Sequence, residues 1–227
     1  MTLLEPVRFD VVVASWLEAE RHSPRFRRRL LRALASLRLP ARILEQPDLA
    51  SPRENRWRRQ VLQHYRSDLW RSLPARAEWW RATITSHEFR RLRVINYPTW
   101  TLLSRHTGRL SAAAAVINAR AVATGAKGRW AREARAVTTH VRAIRDRMRW
   151  AALQRRLILL GQSGGRTWTI LEGNKRAAGL YIRTVLMKVE PLPPAIHVLV
   201  GLTEGPCACL RPGRASLRIA AVPAGTQ

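Results

Sequence analysis

The chain is 227 residues long and carries 41 Lys and Arg against 15 Asp and Glu, a formal net charge of +26. That length accommodates one sizeable core, or one domain with a helical extension, and so large a field of cations attracts polyanions: nucleic acid, nucleotides or an anionic surface. No run of about 18 apolar residues occurs, so no spanning helix and no membrane partner is expected, and Met1 to Pro6 lacks the basic-then-apolar pattern of a targeting segment.

Lysine occurs only at Lys127, Lys175 and Lys188, and the dominance of arginine is what high-GC codon usage produces. Codon usage does not explain the scarcity of acids. Cys207 and Cys209 stand too close together for an ordinary stabilising disulfide, which implies free thiols and a cytoplasmic, reducing setting.

In chain order, Phe9 to Val13 is apolar and β-branched and predicts a strand. Ser23-Pro24 predicts the start of a helix through about Leu37, with serine as N-cap and proline in the first turn. Ser51-Pro-Arg-Glu54 is a capping-box pattern that opens a helix through about Arg66. Pro74 then interrupts the chain. Trp79 to Ile84 and Arg91 to Ile95 predict strands, the second ended by Asn96-Tyr97-Pro98. Ser111 to Ala121 is an alanine-rich helix. After a Gly-bearing connection, residues 128–150 read as a basic helix with Val137, Val141, Ile144 and Met148 on its apolar face. Arg132, Arg135, Arg142, Arg145 and Arg149 lie mostly elsewhere on that helix. They form either a solvated face or a polyanion-binding one. Several Arg and Trp residues are neighbours, as at Arg129-Trp130, a pairing that suits phosphate and base but is also ordinary core filler.

The densest signal is the segment from Trp168 to Arg183. Trp168 to Leu171 favours a strand, and from Ala177 the pattern turns to helix formers, with Leu180, Ile182 and Val185 available for a buried face. Gly173 stands at the junction, where a tight turn or the close approach of a ligand disfavours a side chain. The first amides of the helix lack intrahelical partners, so the junction can receive an anion, and Lys175 and Arg176 add charge there. Gly173, Asn174, Lys175 and Arg176 are therefore the candidate phosphate-binding residues. Glu172 is the one carboxylate beside them, a candidate catalytic base or Mg²⁺ ligand, or alternatively a partner for Arg176.

Glu172-Gly-Asn-Lys-Arg-Ala-Ala178 resembles the G-x-x-R box of the ParB/sulfiredoxin-like family. The order around it fits as well: an apolar strand at Arg156–Leu160, a Gly-rich hairpin at Gln162–Arg166, a second strand, the box, a helix, and a strand at Ile196–Leu202. The resemblance covers roughly residues 88–203. It implies an α/β fold with a small mixed sheet, whereas residues 1–87, which resemble no family, read from their own pattern as a mainly helical segment and residues 205–227 as a Pro- and Gly-rich tail. It also implies a cradle for the phosphates of CTP or ATP, with or without Mg²⁺. Two family features are missing: the reactive cysteine of sulfiredoxins is replaced by Asn174, and too few residues remain after the box for the DNA reader of ParB proteins. Fic-type nucleotidyl transferases share Gly-Asn-Lys-Arg-Ala, but their histidine five residues before the glycine is Trp168 here.

Other catalytic patterns are lacking. No histidine stands in an H-E-x-x-H spacing, no G-x-S-x-G elbow occurs, and no Walker-type loop precedes a lysine. Trp100, Arg105 and His106 come after the Asn96-Tyr97-Pro98 turn and are further candidates to line the pocket. The expected function is phosphate-centred nucleotide binding, with NTP hydrolysis or phosphoryl transfer as its chemistry. The alternative is a non-enzymatic DNA- or RNA-binding protein working through the basic helix.

Overall fold

The computed structural model describes residues 1–23, 26–74, 76–119, 128–147 and 157–205. Its N-terminal part runs β1 (Thr2–Pro6), α1 (Phe9–Arg21), α2 (Arg27–Ser36), α3 (Arg42–Glu45), α4 (Pro52–Tyr65) and α5 (Ser67–Ser72). Then come β2 (Glu78–Thr85), α6 (Ser86–Arg90), β3 (Arg93–Val94), α7 (Pro98–Leu103), α8 (Leu110–Asn118) and α9 (Arg129–Arg147). The chain continues with β4 (Ile158–Gln162), β5 (Thr169–Glu172), α10 (Asn174–Tyr181), a π-helical turn over Ile182–Leu186, and β6 (Ala195–Thr203). The protein is mixed α/β, as the sequence implies.

The strands form one mixed sheet in the order β1-β2-β6-β4-β5-β3. β2 pairs antiparallel with both β1 and β6, β6 runs parallel to β4, β4 antiparallel to β5, and β5 parallel to β3. β4 and β5 are buried at nearly every position, as strands covered on both faces are. Residues 1–87 are thus mostly helical but also supply β1 and β2, and β2 is bonded to β6 along its whole length. Fully buried residues from both parts, Val12, Trp16 and Val61 among them with Ile170 and Val200, belong to one hydrophobic core.

The Gly-rich hairpin forms as expected between β4 and β5. Gly164 sits at φ 72, and Gly165 donates its amide to the Gln162 carbonyl at 2.9 Å. The absence of a side chain at Gly161 lets the Trp168 ring lie over it, since a Cβ there would come within 2.3 Å of the indole. Gly179 is less constrained where α10 meets α9. A Cβ there would meet Ile144 at 3.3 Å, a tight contact, and the backbone of Val141 and Arg145 at an ordinary 3.5 Å.

Several sequence expectations are corrected. Phe9 to Val13 is the first part of helix α1, not a strand. Val12, Val13, Trp16 and Leu17 fall on one buried helical face, and that packing outweighs the β-branched propensity of Val11 to Val13. The helix expected from Ser23-Pro24 begins later, at Arg27 with Phe26 as N-cap, while the Ser23 carbonyl accepts from the amides of Phe26 and Arg27. Pro24 lies outside the described residues. Ser51 does cap α4, its hydroxyl accepting from the Glu54 amide at 3.3 Å. The Glu54 carboxylate turns away from a reciprocal bond and accepts from the Asp48 amide and Arg58. A complete capping box forms instead at Thr85 and Glu88. The expected strand at Arg91 to Ile95 shortens to Arg93–Val94. Met148, the end of the basic helix and the 206–227 part of the tail lie outside the described residues.

Candidate functional site

β5 ends at Glu172, and Gly173 then adopts φ 98 and ψ 11, a left-handed conformation that side-chain-bearing residues rarely take. That single residue turns the chain directly into α10. Its carbonyl accepts the first helical bond, from the Ala177 amide at 2.9 Å, so the amides of Asn174, Lys175 and Arg176 have no acceptor within the helix.

The side chains around this turn have distinct tasks. Asn174 is buried and fastens the turn, its Oδ1 accepting from the Ile95 amide at 3.1 Å and its Nδ2 donating to the Ile170 carbonyl at 3.0 Å. Its backbone, not its side chain, is what remains for a ligand. Arg176 donates through Nη2 to Glu172 Oε1 at 3.1 Å, in a pair largely shielded from solvent. Lys175 reaches toward the N-terminal half, with Nζ 5.3 Å from the centre of the Phe26 ring.

All five residues from Glu172 to Arg176 line a cavity of about 560 Å³. Its other walls come from the α1–α2 connection, the junction of α4 with α5, the segment from Ile95 to Trp100, and α9. Phe26, Tyr65, Tyr97 and Trp100 give it aromatic surface, and Lys175, Arg29 and Arg66 give it positive charge. A space of this size, with aromatic walls and charged groups along them, suits one small molecule.

Deep in the same cavity lies a carboxylate that sequence reasoning did not single out. Glu20, at the end of α1, is 1 % exposed. Arg66 donates to its Oε1 at 2.7 Å and the Tyr65 hydroxyl to its Oε2 at 3.3 Å. Burial, reinforced by the nearby negative charge of Glu172, pushes the Glu20 carboxyl up to about 7, against the opposing pull of Arg66 and the Tyr65 hydroxyl. For Arg66, burial is the largest influence and disfavours the cation, but Glu20, Tyr65, Asp68 and Glu172 together outweigh it, and the guanidinium pKa stands above its usual value. Burial and the Glu20 charge raise the Tyr65 phenol as well. Arg66 also lies over the rings of Phe26 and Tyr65, at 5.2 and 5.9 Å from their centres. A signal for Glu20 exists in the sequence: it comes after Val13, Trp16 and Leu17 at helical spacing, a carboxylate on an apolar stripe.

The basic helix contributes differently. Val137, His140, Ala143 and Ile144 of α9 face the cavity, whereas Arg132, Arg135, Arg142 and Arg145 do not line it. Arg132 and Arg135 are exposed, Arg142 is half-buried, and Arg145 is held by Asp146 at 2.6 Å; Arg149 lies outside the described residues. Trp100 reaches the cavity, but Arg105 and His106 occupy left-handed turn positions away from it. Among the described residues no group of three or more His, Cys, Asp or Glu is placed to hold a metal ion, and no helix is long and apolar enough to cross a membrane. Cys207 and Cys209 fall outside the described residues. Comparison of the chain with protein-family models, with curated proteins and with solved structures gave no match.

Proposed function

We propose that this protein binds a nucleotide in the cavity, with its phosphates on the Gly173–Arg176 turn. The observation that carries the reading is convergence: the turn singled out in the sequence forms one wall of an aromatic-lined cavity of about 560 Å³. The first amides of α10 and the Lys175 ammonium supply the anion site, and the rings of Tyr97 and Trp100 supply flat surface for a base. The likeness of the box to ParB/sulfiredoxin-like proteins favours CTP or ATP. The three carboxylates of the cavity all lie beside arginines, Glu172 with Arg176 and both Glu20 and Asp68 with Arg66, so Mg²⁺ would enter on the phosphates rather than on a protein site. The ion pair of Glu172 also makes it a poor free base. The nucleic-acid reading based on the α9 arginines alone has less support, because they do not converge on the cavity.

The test is calorimetric titration with ATP, CTP and GTP in the presence of Mg²⁺. Lys175→Ala removes one charged contact without touching the Glu172–Arg176 pair or the Asn174 fastening. Its affinity for the preferred nucleotide is expected to fall roughly 10- to 100-fold, the range for losing a hydrogen bond to a charged group. Unaltered affinity in a folded Lys175→Ala protein counts against the site.

A further inference from the structure

Helix α2 breaks the rules by which an isolated helix is stabilised. Its sequence, Arg27-Arg-Arg-Leu-Leu-Arg-Ala-Leu-Ala-Ser36, contains no acid, and three arginines fill its first turn. Cations at a helix N-terminus oppose the helix dipole, and like charges at spacings of three and four residues repel. No side chain caps the helix, whose N-cap is Phe26. Arg27, Arg28, Arg29 and Arg32 are all exposed, and none of them is in an ion pair with a carboxylate among the described residues. Each departure costs stability, and such local inconsistencies are where function is expected.

The position of this helix is informative. Its N-terminal end is at the cavity, where Phe26 and Arg29 form part of the wall facing Lys175 and the start of α10. The N-terminal ends of α2 and α10 therefore both border one cavity, and Arg28 and Arg32 are exposed on the same helix as Arg29 of its wall. Arg28 and Arg32 stand about one turn apart on one face of the helix, about 6 Å along the axis, and the Arg32 side chain reaches back to the Arg28 carbonyl at 3.4 Å. A mononucleotide that filled the cavity would leave Arg28 and Arg32 without an anion.

We infer that the ligand is the terminal nucleotide of a single-stranded nucleic acid, whose backbone leaves the cavity along α2. This rests on the nucleotide reading above and extends it to a polymer. The cavity holds one nucleotide against Tyr97, Trp100 and Phe26 and is too small for a base pair with both backbones. The next phosphates of the strand run along Arg28 and Arg32. Recognition is of an end and a backbone, with stacking in place of base-edge readout.

The experiment uses fluorescence anisotropy with a 3′-labelled, 5′-phosphorylated (dT)12, competed by unlabelled linear (dT)12, circular (dT)12 or TMP. The full chain is compared with an Arg28→Gln, Arg32→Gln variant. These two exposed side chains do not line the cavity, so the variant is expected to melt no lower than the parent. In the parent, the linear strand should bind at least roughly 10-fold more tightly than TMP at low salt, and the circle should compete poorly. The variant should lose most of that advantage, with a log–log salt slope shallower by about 1.4, and should bind TMP as the parent does. Equal affinity for linear strand and TMP, equal competition by the circle, or unchanged strand affinity in the variant each overturns the inference while leaving nucleotide binding intact. Failure of TMP, ATP and CTP alike to bind the parent overturns the nucleotide reading itself, and the inference with it.

Discussion

Replacing Arg66 with alanine is expected to destabilise the protein by about 2–3 kcal/mol at pH 8, because without the guanidinium Glu20 must stay protonated above its parent pKa. Glu20 is almost fully enclosed, and its 2.7 Å contact with Arg66 is the cation that makes its ionised form tolerable there. The loss is expected to depend on pH in a specific direction. At pH 5.5 Glu20 is protonated in both proteins, and the cost should shrink to about 1–2 kcal/mol, the share due to lost packing and contacts with the Phe26 and Tyr65 rings. Urea denaturation of both proteins at the two pH values measures this. Equal losses at pH 8 and 5.5 would show that the Arg66–Glu20 pair is not what holds this wall of the cavity.

A second large effect belongs to Glu20 itself. Its folded-state pKa is raised from 4.5 to about 7, so its contribution to stability is fully present below pH 4.5 and is lost as pH rises through 7. The size of that loss is on the order of 3 kcal/mol. Glu20→Gln keeps an acceptor for the Tyr65 hydroxyl but cannot titrate. The stability of the variant relative to the parent should therefore climb steadily from pH 4.5 to 7 and level off above. A relative stability independent of pH across that window rules out a raised Glu20. The same group couples stability to ligand binding, since an added phosphate charge in the cavity favours its protonated form.

The parts of this structure legible in the sequence are those whose signals are local. The run from Trp168 to Tyr181 declares its strand, its turn and its helix through β-branched residues, one glycine and a switch to helix formers, and the structure places each there. The start of the basic helix at Arg129 and the cap at Ser51 were legible for the same reason. Local signals failed where packing overrides them, as at Phe9 to Val13, or where no pattern exists to read. β1 is exposed at all five positions, so its sequence has no alternation, and only its pairing with β2 makes it a strand.

The candidate site divides along the same line. Lys175, Arg176 and Gly173 were legible because they lie within one short run. Glu20, Phe26, Tyr65 and Arg66 were not, because three separate helices bring them to the cavity and the sequence does not say which helices meet. Asn174 shows a subtler limit. Residue type and position suggest a ligand contact, but the structure uses its amide to tie α10 to Ile95 and Ile170, a task visible only once the neighbouring backbone is in place.

The most direct test of nucleotide binding at the Gly173–Arg176 turn is a titration of ¹⁵N-labelled protein with ATP or CTP, read through backbone amide shifts. The amides of Asn174, Lys175 and Arg176 should move saturably and together, because they are the donors to which α10 itself offers no acceptor. Those of Arg132 and Arg135 on the outer face of α9 should stay in place. Shifts confined to α9, with the amides of the turn unmoved at saturation, would contradict the account and make the basic helix the anion-binding element.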